Sequence, residues 1–134
     1  MRLIQQQAIM GKLGPELTVV IGEAALRRAV GGAEVMHEQL QWLAEGKRGP
    51  YLGQSSGAPA AVGGAHRDGG QILRFAGAAE LGVVHLPFPS ADLSIVEPAD
   101  VAIDVAAFEQ LKAAALDPSA SAQMLRNLAG QAPA

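Results

Sequence analysis

Gly82-Val83-Val84-His85-Leu86-Pro87-Phe88-Pro89-Ser90-Ala91-Asp92-Leu93-Ser94-Ile95-Val96 is the stretch that decides how this chain folds. Its two ends, residues 82–86 and 93–96, are short runs of β-branched and aliphatic residues. Between them lies Pro87 to Asp92, rich in proline and small polar residues. Such a pattern predicts two strands joined by a hairpin-like connection. Just upstream, Gln71-Ile72-Leu73-Arg74-Phe75 suits a third strand.

Downstream the period changes from two to nearly four. Pro98 stands where a first-turn proline is tolerated, and Asp100 and Asp104 favour the positive end of a helix dipole. Val101, Val105, Phe108, Leu111 and Ala115 then form one apolar stripe. Asp117-Pro118 restarts the chain as an aspartate N-cap followed by proline at the first helical position. Met124, Leu125 and Leu128 line this last helix, and Gly130 closes it.

The first half is simpler. Residues 2–10 suit a short amphipathic helix, with Leu3, Ile4, Ala8 and Ile9 as apolar points. Glu16 to Ile21 reads as a buried strand and Glu23 to Val30 as a helical stretch, ended by Gly31-Gly32. Ala33 to Glu45 is a helix that places Met36, Leu40 and Leu43 on one face, with Val35 and Trp42 bordering it. Gly46 to Gly70 holds eight of the sixteen glycines, together with Pro50 and Pro59, and reads as a loop. The order predicts an α+β fold: a small, mainly antiparallel sheet with packed helices, two of them C-terminal. A single domain over 1–134 is expected, with 46–70 as a Gly-rich loop.

Composition bounds the function. A chain of 134 residues supports one core. Apolar residues make up 49% and aromatics 4%, so small aliphatic contacts carry the packing. Charged residues are 17%, below the roughly 25% usual for soluble domains. Either part of the surface is meant to be covered, or a GC-rich genome has shaped the composition; both readings stand. The absence of cysteine excludes disulfides, thiolate zinc sites and cysteine nucleophiles. The N-terminus lacks the apolar segment of a signal peptide, and no apolar run approaches the ~18–20 residues that span a bilayer, so a cytoplasmic location is expected. Net charge is -3, with the acidic excess in residues 91–134. No dense basic stripe suits phosphate neutralisation, so these residues alone are expected to bind DNA weakly or not at all.

The run Leu17-Thr18-Val19-Val20-Ile21-Gly22-Glu23-Ala24-Ala25-Leu26-Arg27-Arg28-Ala29-Val30-Gly31-Gly32, followed by Val35-Met36 and Glu38-Gln39-Leu40, carries a resemblance. So do Gly64-Ala65-His66, Ile72-Leu73-Arg74-Phe75, and Phe108 to Leu116 leading to Pro118 and Ser121. In these residues the chain resembles the uncharacterised C-terminal domain of actinobacterial XRE-type helix-turn-helix regulators, the WhiJ-type, toxin–antitoxin-like transcription regulators. The resemblance implies transcription regulation through a partner-binding domain, often encoded beside a small partner protein, with the DNA-binding part upstream. It brings no catalytic residues. Two departures stand out. The sixteen residues before Leu17 are too few for a five-helix DNA-binding domain, so the helix-turn-helix domain is expected to be absent here. Where the family has a β-branched strand, Arg48 to Val62 shows poor strand propensity.

Motifs for chemistry are thin. Gly53-Gln54-Ser55-Ser56-Gly57 fits the nucleophile-elbow pattern, but its flanks suit neither the required strand nor the required helix. His37-Glu38 opens a zinc-helix motif whose second histidine is replaced by Gln41, so His37 reads as a surface residue of an amphipathic helix. His85 reads as a structural strand residue, and His66-Arg67 as loop residues able to touch a ligand or partner. Glu23 and Arg27, four apart, suit an intrahelical ion pair; alternatively an arginine grips a carboxylate. Gly31-Gly32 reads as a tight interhelical turn. The last helix could also dock on another subunit.

The expected function is therefore a non-catalytic regulatory and partner-interaction domain, not an enzyme and without cofactor, binding a small partner protein or a second copy of itself. Candidate contacts are Arg27, Arg28, His66, Arg67, Met124 and Leu128. The alternative is a small-molecule sensor with a pocket between sheet and helices, lined by Val84, Ile95 and Phe75 with His66 near the rim.

Overall fold

The computed structural model of the chain describes residues 16–46, 50–53, 70–88 and 90–131. Among these residues the elements run β1 (Val20–Gly22), α1 (Glu23–Leu26), α2 (Ala33–Glu45), β2 (Tyr51–Gly53), β3 (Gln71–Phe75), β4 (Ala78–Pro87), β5 (Asp92–Ile95), α3 (Pro98–Ala114) and α4 (Pro118–Gln131). The fold class is α+β, as the strand and helix periods imply. The sequence reads as one domain; the described residues group into two compact units, one reaching to Leu52 and resuming at Leu116, the other spanning Gly53–Ala115.

The second unit is built on the deciding stretch. β3, β4 and β5 form an antiparallel sheet in that order. Across β4 and β5, Val84 faces Ile95, His85 faces Ser94 and Leu86 faces Leu93. The connection closes tightly, with Phe88 N–H donating to the Ala91 carbonyl at 2.8 Å. β3 and β4 pair from Gln71–His85 to Arg74–Gly82, and the register then shifts so that Phe75 faces Ala78. Gly77, at φ 80°, makes the turn between them, in a backbone region that favours glycine. β4 is longer than the 82–86 strand expected from composition, because its first residues fold back on β3 through this bulged turn.

Alternation sorts the sheet into two faces. Val84 and Leu86 turn to α3 and are buried with Val101; Ile72, Ile95 and Val105 pack around them. The helix approaches closely: a Cβ built on Gly82 would lie 2.9 Å from Val101 Cγ1. Glycine at this position lets the helix lie against the strand.

The first unit joins α2 to α4, elements separated by about half the chain. Leu26, Leu40, Ala44, Leu125, Leu128 and Ala129 form its core, with Ile21, Leu43, Leu116 and Met124 packed against it. Leu125 has no exposed surface; full burial of such a side chain is worth about 1.5–3 kcal/mol. The start of α4 follows the expected cap: Ala120 N–H donates to Asp117 Oδ1 at 2.8 Å. Ser121, wholly buried, donates its hydroxyl to the Leu116 carbonyl at 2.9 Å.

Several boundaries differ from expectation. The first helix ends at Leu26 rather than Val30, because Gly31 and Gly32 adopt φ 82° and 97° and the chain turns early toward α2. The tight interhelical turn predicted for this glycine pair is present. The strand expected over 16–21 pairs only from Val20. Within the expected 46–70 loop, Tyr51–Gly53 is a strand beside β1, tied by Tyr51 N–H to the Val19 carbonyl at 2.9 Å. Gly130 does not close α4, which runs on to Gln131. A glycine inside a helix costs only about 1 kcal/mol, which the packing of Leu128 and Ala129 offsets. The helix expected over 2–10 and residues 54–69 lie outside the described residues.

Candidate functional site

The helical period of α2 divides its side chains cleanly. Ala33, Met36, His37, Leu40, Leu43 and Ala44 occupy one arc and are buried or half-buried. On the opposite arc Val35 and Trp42 are seven residues apart, two turns along one side. They are 47% and 58% exposed. Helical spacing predicts that both border the core face; about half of each side chain is open to solvent. Beside them Glu34, Glu38 and Glu45, also exposed, share the neighbouring strip of the same arc. Residues 33–45 contain no lysine or arginine. None of these three carboxylates meets a cation among the described residues.

The sheet has its own outward face. Leu73 stands opposite Val83, on the side away from Val84 and α3, and Phe75 follows on the same side two residues on. Leu73 and Phe75 are 49% and 53% exposed. His85 shares this face and is half-buried. Its Nε2 lies 3.9 Å from Asp92 Oδ1, too far for a hydrogen bond.

Four of the six residues nominated from sequence lie among the described residues. Arg27 is bound to Glu23 in the expected intrahelical pair, with Nε donating to Oε1 at 2.7 Å and Nη2 at 2.6 Å from the same oxygen. Arg28 is exposed in the turn that follows. Leu128 belongs to the core between α2 and α4, and Met124 is half-buried against it. The final helix therefore spends this face inside its own unit. His66 and Arg67 lie outside the described residues. Of the residues named for a sensor pocket, Val84 and Ile95 pack in the cluster with Val101, while Phe75 points to the other side of the sheet.

The chemistry-bearing side chains are placed as follows. His37 is no free surface residue: its Nδ1 lies 2.8 Å from the Ala129 carbonyl. Because a carbonyl only accepts, Nδ1 carries the hydrogen. Ser55 lies outside the described residues. Among the described residues no three His, Asp or Glu side chains gather in a way that could hold a metal ion. No helix among them is long and apolar enough to cross a membrane. What the geometry offers is surface for contact: an apolar ridge flanked by carboxylates on α2, and an apolar sheet face around Leu73 and Phe75. Sequence reasoning missed both. Plotting residues 33–45 at 100° per residue, with glutamate positions included, separates the Trp42 arc from the Leu40 arc.

A family model described as a domain of unknown function (DUF5753) matches residues 1–127. No curated protein and no solved structure matches the chain.

Proposed function

The chain belongs to the DUF5753 family, and from that premise we propose that it is a non-catalytic regulatory domain that binds a small partner protein on behalf of a helix-turn-helix transcription regulator. The placement within XRE-type, actinobacterial, toxin–antitoxin-like regulators rests on the resemblance in residues 17–43. The observation that carries a binding role is Trp42, the chain's one tryptophan, held 58% exposed beside Val35 on a well-formed helix. Tryptophan is enriched among the residues that dominate protein interfaces, and here it shares its exposed side with Val35.

In this reading the DNA contact falls to a helix-turn-helix domain outside residues 1–134. The partner binds two states of the regulator with different affinity, and a coupling of about 1–3 kcal/mol transmits the signal. The described side chains support a binding role over a catalytic one. His37 is occupied by a backbone carbonyl, and His85 stands 3.9 Å from Asp92 Oδ1, beyond hydrogen-bond distance.

The test is co-production of the chain with each small protein encoded beside its gene, followed by size-exclusion chromatography and native mass spectrometry. A stoichiometric complex with one of them supports the proposal. A metabolite retained by the chain, with no protein complex, would replace it with the small-molecule sensor reading.

A further inference from the structure

We propose that the outward arc of α2 docks a basic amphipathic helix of the partner protein; this rests on the partner-binding reading above. Two features of that arc select this occupant. Val35 and Trp42 form an apolar ridge with two-turn spacing, which suits the i and i+7 anchors of a helix laid alongside. The strip beside the ridge carries Glu34, Glu38 and Glu45, and the helix holds no compensating cation. An acidic partner would bring like charges together along the contact, whereas lysine or arginine flanking an apolar ridge would pair with all three carboxylates. Cations reaching over the indole face of Trp42 add a further attraction. A second copy of this chain docking α2 against α2 would oppose glutamate to glutamate, so self-association through this arc is disfavoured.

The sheet face around Leu73 and Phe75 lacks such a signature. The charged residues of β3 and β5 are of mixed sign, Arg74 and Asp92, and they select no partner charge. Of these two faces, it is the α2 arc that couples an exposed anchor to a uniform charge.

The full chain can be titrated with a synthetic, tryptophan-free helical peptide that carries a leucine ridge flanked by lysines, and with its counterpart in which every lysine is glutamate. Trp42 is then the sole tryptophan and reports its own burial. The lysine peptide is expected to shift Trp42 emission to the blue, saturably, with an affinity that weakens as salt is raised. The glutamate peptide is expected to leave emission unchanged. With a fluorescently labelled lysine peptide, Trp42→Ala should weaken binding by about thirtyfold or more. The triple variant E34Q/E38Q/E45Q, changed only at exposed positions, should weaken it by about tenfold without altering the unfolding midpoint.

Equal binding of the two peptides, or undiminished binding by the triple glutamine variant, overturns the basic assignment. Emission that is already blue in the free chain and moves with protein concentration shows a second copy on the arc and also overturns it. Failure of the lysine peptide overturns this proposal alone. Failure of the regulatory reading shows separately, as no complex with any neighbouring gene product.

Discussion

His37 Nδ1 donates to the carbonyl of Ala129 at 2.8 Å, a contact across 92 positions of sequence. Ala129 lies two residues before Gln131, the last described residue of α4. The imidazole thus ties the final helix to α2, next to the Leu40–Leu125 core. His37→Ala removes this part-buried hydrogen bond. It is expected to lower stability by about 1–2 kcal/mol, measured by urea denaturation. A loss below the scatter of surface mutants would show that the hydrogen bond contributes little.

Gly82 and Val101 should behave as a coupled pair. A methyl group added at Gly82 would come within 2.9 Å of Val101 Cγ1. Gly82→Ala is expected to cost about 1–3 kcal/mol through overpacking. Val101→Ala removes the obstructing methyls, so in that background the same change should cost less, by at least about 0.5 kcal/mol. Strict additivity in the double-mutant cycle would contradict the close approach of α3 to β4.

Asp117 caps α4 through its carboxylate, 2.8 Å from Ala120 N. Asp117→Ala should lower stability by about 1 kcal/mol, and Asp117→Asn by much less, since asparagine caps nearly as well. Thermal unfolding followed by circular dichroism distinguishes them. Equal loss from both substitutions would point to the charge rather than the hydrogen bond.

Burial ranks two further changes. Leu125 is wholly enclosed, and Leu125→Ala is expected to cost about 3–5 kcal/mol. Arg27 is bound to Glu23 at the surface, with its own side chain 56% exposed. Arg27→Ala should change stability by at most about 1 kcal/mol. A reversal of this order would mean that the core of the first unit lies elsewhere.

Where a signal was local, the sequence carried it. The Val101–Val105 stripe, the Asp117-Pro118 start and the Val84–Ile95 hairpin each depend on residues within a few positions of one another, and each is found in place. β2 was hidden because its three residues, Tyr51-Leu52-Gly53, are too few to show an alternation and stand in a Gly- and Pro-rich stretch; the bond from Tyr51 N–H to the Val19 carbonyl reveals it. The role of His37 was hidden for a related reason: a distant carbonyl decides it, and its own helix face looks amphipathic either way. The burial of Leu128 was hidden because a residue on an alanine-rich helix could serve either an interface or a core. Only the packing of α4 on α2 decides for the core. Helical spacing put Trp42 at the border of the core face; the glutamates that share its arc mark the outward side of that border.

Steady-state emission of Trp42 in the purified chain, free and in complex with the co-produced neighbour protein, bears most directly on the claim that this molecule works by offering a surface. The account predicts solvent-exposed emission in the free chain and a clear blue shift once the complex forms. A stable complex that leaves the Trp42 emission unchanged would contradict it.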